Sequence, residues 1–115
     1  MGSQGAKRAR EYATMIADEC RSNFETMERG GRGTPLERYS AKLREGVLVS
    51  NLVWQGYQSR YVFSISSWSK RWDGEPQRDW NARVYVTKDL DVIVDAESDV
   101  PAKIIECATS ARKRV

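Results

Sequence analysis

The chain of 115 residues contains no histidine. That removes the usual general base near neutral pH, the Ser–His and Cys–His nucleophile pairs, and the commonest zinc ligand. Cysteine is nearly as scarce. Cys20 and Cys107 are the only two, and two cysteines without histidine do not make a structural zinc site. Their separation allows one long-range disulfide, but two buried free thiols in a reducing compartment are expected, which places the protein in the cytoplasm. No apolar run approaches the ~18 residues of a membrane span. The start, Met1 to Lys7, has neither the apolar core of a signal peptide nor the serine or threonine at position 6 that myristoylation requires. Gly30-Gly31-Arg32-Gly33 follows a helical stretch, not a strand, and so reads as a break instead of a phosphate loop. These absences leave one non-catalytic domain, with no cofactor, no metal and no membrane partner, as the expectation.

What is present is ordinary for a globular domain: 40% apolar and 30% charged residues, with a net charge of +3. The excess sits at the two ends, in Lys7, Arg8 and Arg10 and in Arg112, Lys113 and Arg114. These form one patch if the termini meet. A basic balance of this size permits nucleic-acid binding without requiring it.

Along the chain, Ala9, Tyr12, Ala13, Ile16, Cys20, Phe24 and Met27 recur at steps of three and four, which predicts an amphipathic helix over 6–29. Thr34-Pro35-Leu36-Glu37 carries a capping threonine, a proline suited to the first helical position and a glutamate that closes a capping box, so a second helix is expected over 35–45. From Val47 the character changes to β-branched and aromatic residues. Four strands are expected within 47–96: Val47–Trp54, Arg60–Trp68, one from Trp80 to Thr87, and one from Leu90 through Asp95. Pro101 then opens a final helix over 99–114, with Val100, Ile104, Cys107, Ala108 and Ala111 on its apolar side. The expected class is α+β: two N-terminal helices, a four-stranded antiparallel meander, and a C-terminal helix packed on one sheet face.

Residues 68–80 hold three of the four tryptophans, Trp68, Trp72 and Trp80, in what reads as a loop around Asp73-Gly74 and Pro76. They are interleaved with Lys70, Arg71 and Arg78. Large aromatics belong in cores or interfaces, so a loop with this content is expected to touch a partner. The bland alternative has Trp54 and Trp80 buried in the core and Trp68 over a sheet edge. Trp72 is the hardest of the four to bury. On the strands, Ser64, Ser66, Arg83 and Tyr85 are expected on a polar outer face. Short hydroxyls with a few arginines suit the phosphates and 2′-hydroxyls of duplex RNA. Asp89, Asp91 and Asp95 could hold Mg²⁺, but a solvated edge strand blunted by charge accounts for them better.

In element order alone, residues 34–115, with Thr34-Pro35-Leu36-Glu37 opening the helix before the strands, resemble double-stranded RNA-binding domains. The chain departs from them in its fourth strand and in a final helix that opens Val100-Pro-Ala-Lys103 instead of with a lysine cluster. The likeness therefore assigns no residue a role. Two functions are expected at nearly equal weight. One is a nucleic-acid-binding module, RNA favoured, using the polar strand face, the basic termini and the tryptophan loop. The other is a protein-binding inhibitor or adaptor of the viral or mobile-element type, anchored by Trp68 to Trp80. A homodimer is compatible with both.

Overall fold

The computed structural model describes residues 2–26 and 45–110. Among them, two helices and five antiparallel strands make an α+β fold. In chain order these are α1 (Gly2–Phe24), β1 (Gly46–Val49), β2 (Val53–Gln55), a 3₁₀ turn (Gly56–Gln58), β3 (Arg60–Lys70), β4 (Pro76–Thr87), β5 (Val92–Ala96) and α2 (Ala102–Ser110). The helix expected over 35–45 lies outside the described residues apart from Glu45, as do Met27, Ala111, Arg112, Lys113 and Arg114. No helix among the described residues is long and apolar enough to cross a membrane.

The sheet runs β1–β3–β4–β5, with β2 also paired to β3. The composition of Val47–Trp54 predicts one strand; there are two, because Ser50 interrupts the run. Its amide donates to the Ser64 carbonyl at 2.8 Å and its Oγ accepts the Ser64 amide at 2.8 Å. A side-chain hydroxyl thus replaces the backbone partner that a continuous strand would supply, and the chain bends away before β2 resumes pairing. The expected turn at Gln55–Gln58 is present as the 3₁₀ turn.

One face of the sheet carries the core. Ala9, Ala13, Ile16 and Cys20 of α1 meet Val49, Phe63, Ile65, Ala82, Val84 and Val86 of the strands and Ile104 and Ala108 of α2. Each large apolar side chain buried this completely contributes about 1.5–3 kcal/mol. Both helices therefore lie on the same side, and the apolar stripe of α1 is the one the periodicity predicts. Trp80 packs against this core but is only half-buried, and Trp54 is exposed enough to tilt against Tyr61 with ring centroids 4.8 Å apart. The expectation that Trp54 is core is corrected: β2 lies beyond the reach of the helix layer.

A candidate interaction arm at the end of the sheet

Residues 68–80 are mostly strand, not loop. β3 continues to Lys70 and β4 begins at Pro76, with pairs Trp68–Arg78, Ser69–Gln77 and Lys70–Pro76. β1 stops opposite Trp68 and β5 stops opposite Ala82, so these pairs form a two-stranded arm beyond the sheet. Three pairs of ladder amount to roughly 10 Å of reach. Pro76 fits as the first residue of a strand, where no ladder donor is needed.

The arm's tip is a three-residue loop. Arg71 donates its amide to the Glu75 carbonyl at 2.8 Å and accepts the Gly74 amide at 2.9 Å. Gly74 has φ +83°, the left-handed conformation that such loops reserve for glycine. Asp73 locks the turn: its carboxylate accepts the Glu75 amide at 3.1 Å and the Arg71 guanidinium at 2.6 Å. Trp72 stands at the apex and is 94% exposed.

A bulge joins the arm to the sheet. The pairing steps from Ser67–Trp80 to Trp68–Arg78, which leaves Asp79 without an opposite residue. Its carboxylate accepts the Ser69 hydroxyl at 2.8 Å. The extra residue reverses the alternation of β4: Trp80, Ala82, Val84 and Val86 face the helices, whereas Arg78 lies beside Trp68 on the outer face. Trp68 is half-buried there, and its Nε1 donates to Ser66 Oγ at 2.9 Å.

The outer face is less available than its residue types suggest. Ser66 is buried, with its hydroxyl engaged by Trp68, and Tyr85 is buried under Arg60, whose guanidinium carbon lies 3.9 Å from the ring centre. Both lie on the expected outer face but are covered there by neighbours on that face, so they present little surface. Ser64 is half-buried and Arg83 is exposed. They flank a shallow hollow of about 290 Å³ lined also by Ser50, Asn51, Gln55 and Val62. Arg83 is opposite Asp95, and Arg78 approaches Glu97 at 3.9 Å.

Lys7, Arg8 and Arg10 are exposed on α1, which covers the opposite side of the sheet. Gly5 lies against Lys88 of the β4–β5 turn, so this basic group sits at the end of β4 away from the arm. The structure therefore separates the α1 cations from the other residues expected to act with them, whereas Arg83 and the arm's Arg78 line one further hollow of about 220 Å³ with Asn81, Asp95 and Glu97, and Lys70, Arg71 and Trp72 lie beyond it toward the tip. Sequence reasoning missed Asp73 as the residue that shapes the tip, and Arg60 as the lid on Tyr85. The Asp-Gly pair signals the first; the second needed the strand register.

Cys20 and Cys107 are both free thiols. Cys20 is wholly buried, and its thiol is pushed up to about 12, first by burial and then by the neighbouring Cys107. Asn23 Nδ2 donates to Cys107 Sγ at 3.2 Å, so the pair also ties α1 to α2. A thiol held this strongly protonated is a packing group, not a nucleophile. No protein-family model matches the chain, and no curated protein or solved structure matches it.

Proposed function

We propose that this chain is a non-catalytic protein-interaction module, an inhibitor or adaptor, that inserts Trp72 into an apolar pocket of a partner protein. The observation that carries the reading is the 94% exposure of Trp72 on a loop whose backbone is already fixed by Asp73 and Gly74. A pre-shaped loop loses little freedom on binding, and tryptophan is among the residues that dominate protein interfaces. Charge supports the same choice. Arg71 is paired with Asp73, and Lys70, Arg71 and Arg78 are offset by Asp73, Glu75 and Asp79 along the arm. A phosphate-binding arm would need an excess of cations. The two free thiols fit a reducing compartment, in keeping with the cytoplasm.

A photo-crosslinking residue at position 72 identifies the partner, and titration of that partner then tests the reading. Trp72→Ala is expected to weaken binding by about 2 kcal/mol or more, roughly thirtyfold, with little dependence on salt. Unchanged affinity would remove the arm from the interface.

A second reading, nucleic-acid binding with RNA favoured, is supported by exposed Arg83 beside Ser64 and by Lys7, Arg8 and Arg10 in one turn of helix. It expects affinity for duplex RNA to fall steeply with salt and to weaken in Arg83→Ala. Protein purified without nuclease treatment and free of absorbing nucleic acid would count against it.

A further inference from the structure

The two edges of the sheet are finished differently. At β1 the chain seals its own edge. Thr26 donates its amide to the Val47 carbonyl at 2.9 Å, the Val47 amide donates to Thr26 Oγ1 at 2.8 Å, and the Val49 amide donates to Glu25 Oε2 at 2.8 Å. Strand-like pairing by the end of α1 leaves no room there for another chain.

At β5 no described strand or loop pairs with the edge. The Thr87 amide donates to the Asp91 carbonyl, and the Glu97 amide to the Asn81 carbonyl. With the register Tyr85–Ile93 and Arg83–Asp95, these bonds place the odd-numbered residues of β5 toward β4. The amides and carbonyls of Val92, Val94 and Ala96 therefore point away from the sheet. Among the described residues, none of them meets a hydrogen-bonding partner.

The side chains along this edge define what could complete it. On the outer face, Ile93 is half-exposed between Asp91 and Asp95. From Asp89 to Asp99 the chain holds five carboxylates and no basic residue. Glu97 is partly used, accepting the Asn81 amide at 2.6 Å and facing Arg78; Arg83 is opposite Asp95 across the β4 side, and Asp91 also has an interaction within the chain. A second copy of this chain is a poor occupant. Antiparallel pairing centred on Val94 would set Asp91 against Glu97 and repeat the same negative field, and like charges placed opposite destabilise a ladder.

We propose that the β5 edge is a docking site for an extended, basic segment of a partner protein, which joins the sheet as an added strand. Its backbone pairs with Val92, Val94 and Ala96, and alternate lysines or arginines lie over Asp91 and Asp95 with a small apolar residue against Ile93. This surface is separate from the arm and does not depend on Trp72.

The probe is the six-residue peptide lysine-valine-alanine-valine-lysine-valine, capped at both ends, fluorescently labelled and titrated against the full chain; its first, third and fifth residues set lysine, alanine and lysine opposite Asp95, Ile93 and Asp91. Saturable binding is expected, weakened at least tenfold in Asp91→Asn/Asp95→Asn. Backbone N-methylation of the peptide at one alternate set of residues is expected to abolish binding, and at the other set to leave it intact, because only one set faces β5. Trp72→Ala is expected to bind the probe like the parent chain, so failure here and failure of the arm reading are distinct. Three results would each overturn the proposal: no binding at millimolar peptide, equal loss from both methylation patterns, or a dimer on a sizing column that the two Asp→Asn changes strengthen. The first leaves the edge inert, the second reduces the contact to charge alone, and the third gives the edge to a second copy.

Discussion

β3 and β4 are two continuous strands, yet the two halves of their pairing behave as different materials. In the root, from Arg60 to Ser67 and Trp80 to Thr87, alternate residues enter a closed core and β1, β2 and β5 flank the pair. In the arm, from Trp68 to Arg78, nothing flanks the ladder on the β5 side, and residues 71–79 are all exposed. The root is held by burial; the arm is held by its own turn chemistry and by hydrogen bonds that Asp73, Asp79 and Ser66 accept. An element stabilised only locally can be changed without unfolding the domain, and such surface elements are where binding residues concentrate.

That contrast is broken or sharpened by substitutions in each half. The largest effect belongs to the root. Phe63→Ala empties a fully buried site and is expected to cost about 3–5 kcal/mol in urea unfolding, and a loss below ~1 kcal/mol would mean the root is loosely packed. The second concerns the helix layer that seals it. Because Cys20 holds its proton up to about 12 against an ordinary 9.0, the unfolded chain deprotonates first. Its contribution is complete below pH 9 and is lost as pH rises from 9 toward 12, by about 1.4 kcal/mol per pH unit. Unfolding measured at pH 8, 9 and 10 is expected to steepen in that window, and the steepening is expected to vanish in Cys20→Ala, whose overall stability is lower.

At the junction, Ser66→Ala takes the acceptor from Trp68 Nε1 and is expected to cost about 1 kcal/mol. No change in the unfolding midpoint would show that water satisfies the indole equally well. The smallest effect is at the tip. Trp72→Ala is expected to shift stability by no more than about 0.5 kcal/mol, as for an ordinary exposed site. A melting temperature many degrees lower would make Trp72 part of the core and erase the distinction between the halves.

The same contrast explains what the sequence disclosed. The α1 stripe and the alternation of Tyr61 to Ile65 and of Ala82 to Val86 are written by burial, so they are legible as periodicity. From Lys70 onward the arm is exposed and carries no such pattern. Asp73-Gly74 and Pro76 signal a loop across it, although they belong only to the tip and to the first residue of β4. Asp79 compounded this, since one unpaired residue moves Arg78 to the outer face and breaks any period-two count. Ser50 hid the break between β1 and β2 in the same way, by supplying a partner that no propensity scale registers. Trp72 was legible as exposed because no neighbour within the turn could bury it. The cover over Ser66 and Tyr85 was not, because it comes from residues on the same face whose positions follow from the strand register.

The bond from Asn23 to Cys107 joins residues 84 positions apart. It means that a helix made early is finished by one made late. The α1 stripe has no strands to cover it until β3 and β4 have been synthesised, some sixty residues later. At ~5–20 residues per second that is an interval on the order of seconds. Most of a helix's stability in a protein comes from packing its apolar face, so the nascent α1 spends that interval as a fluctuating, sticky segment. The β3–β4 pair, by contrast, closes across a short turn and can form at once. Birth order and docking order therefore differ: α1 is made early, but the face it docks onto is complete only once β3 and β4 have paired.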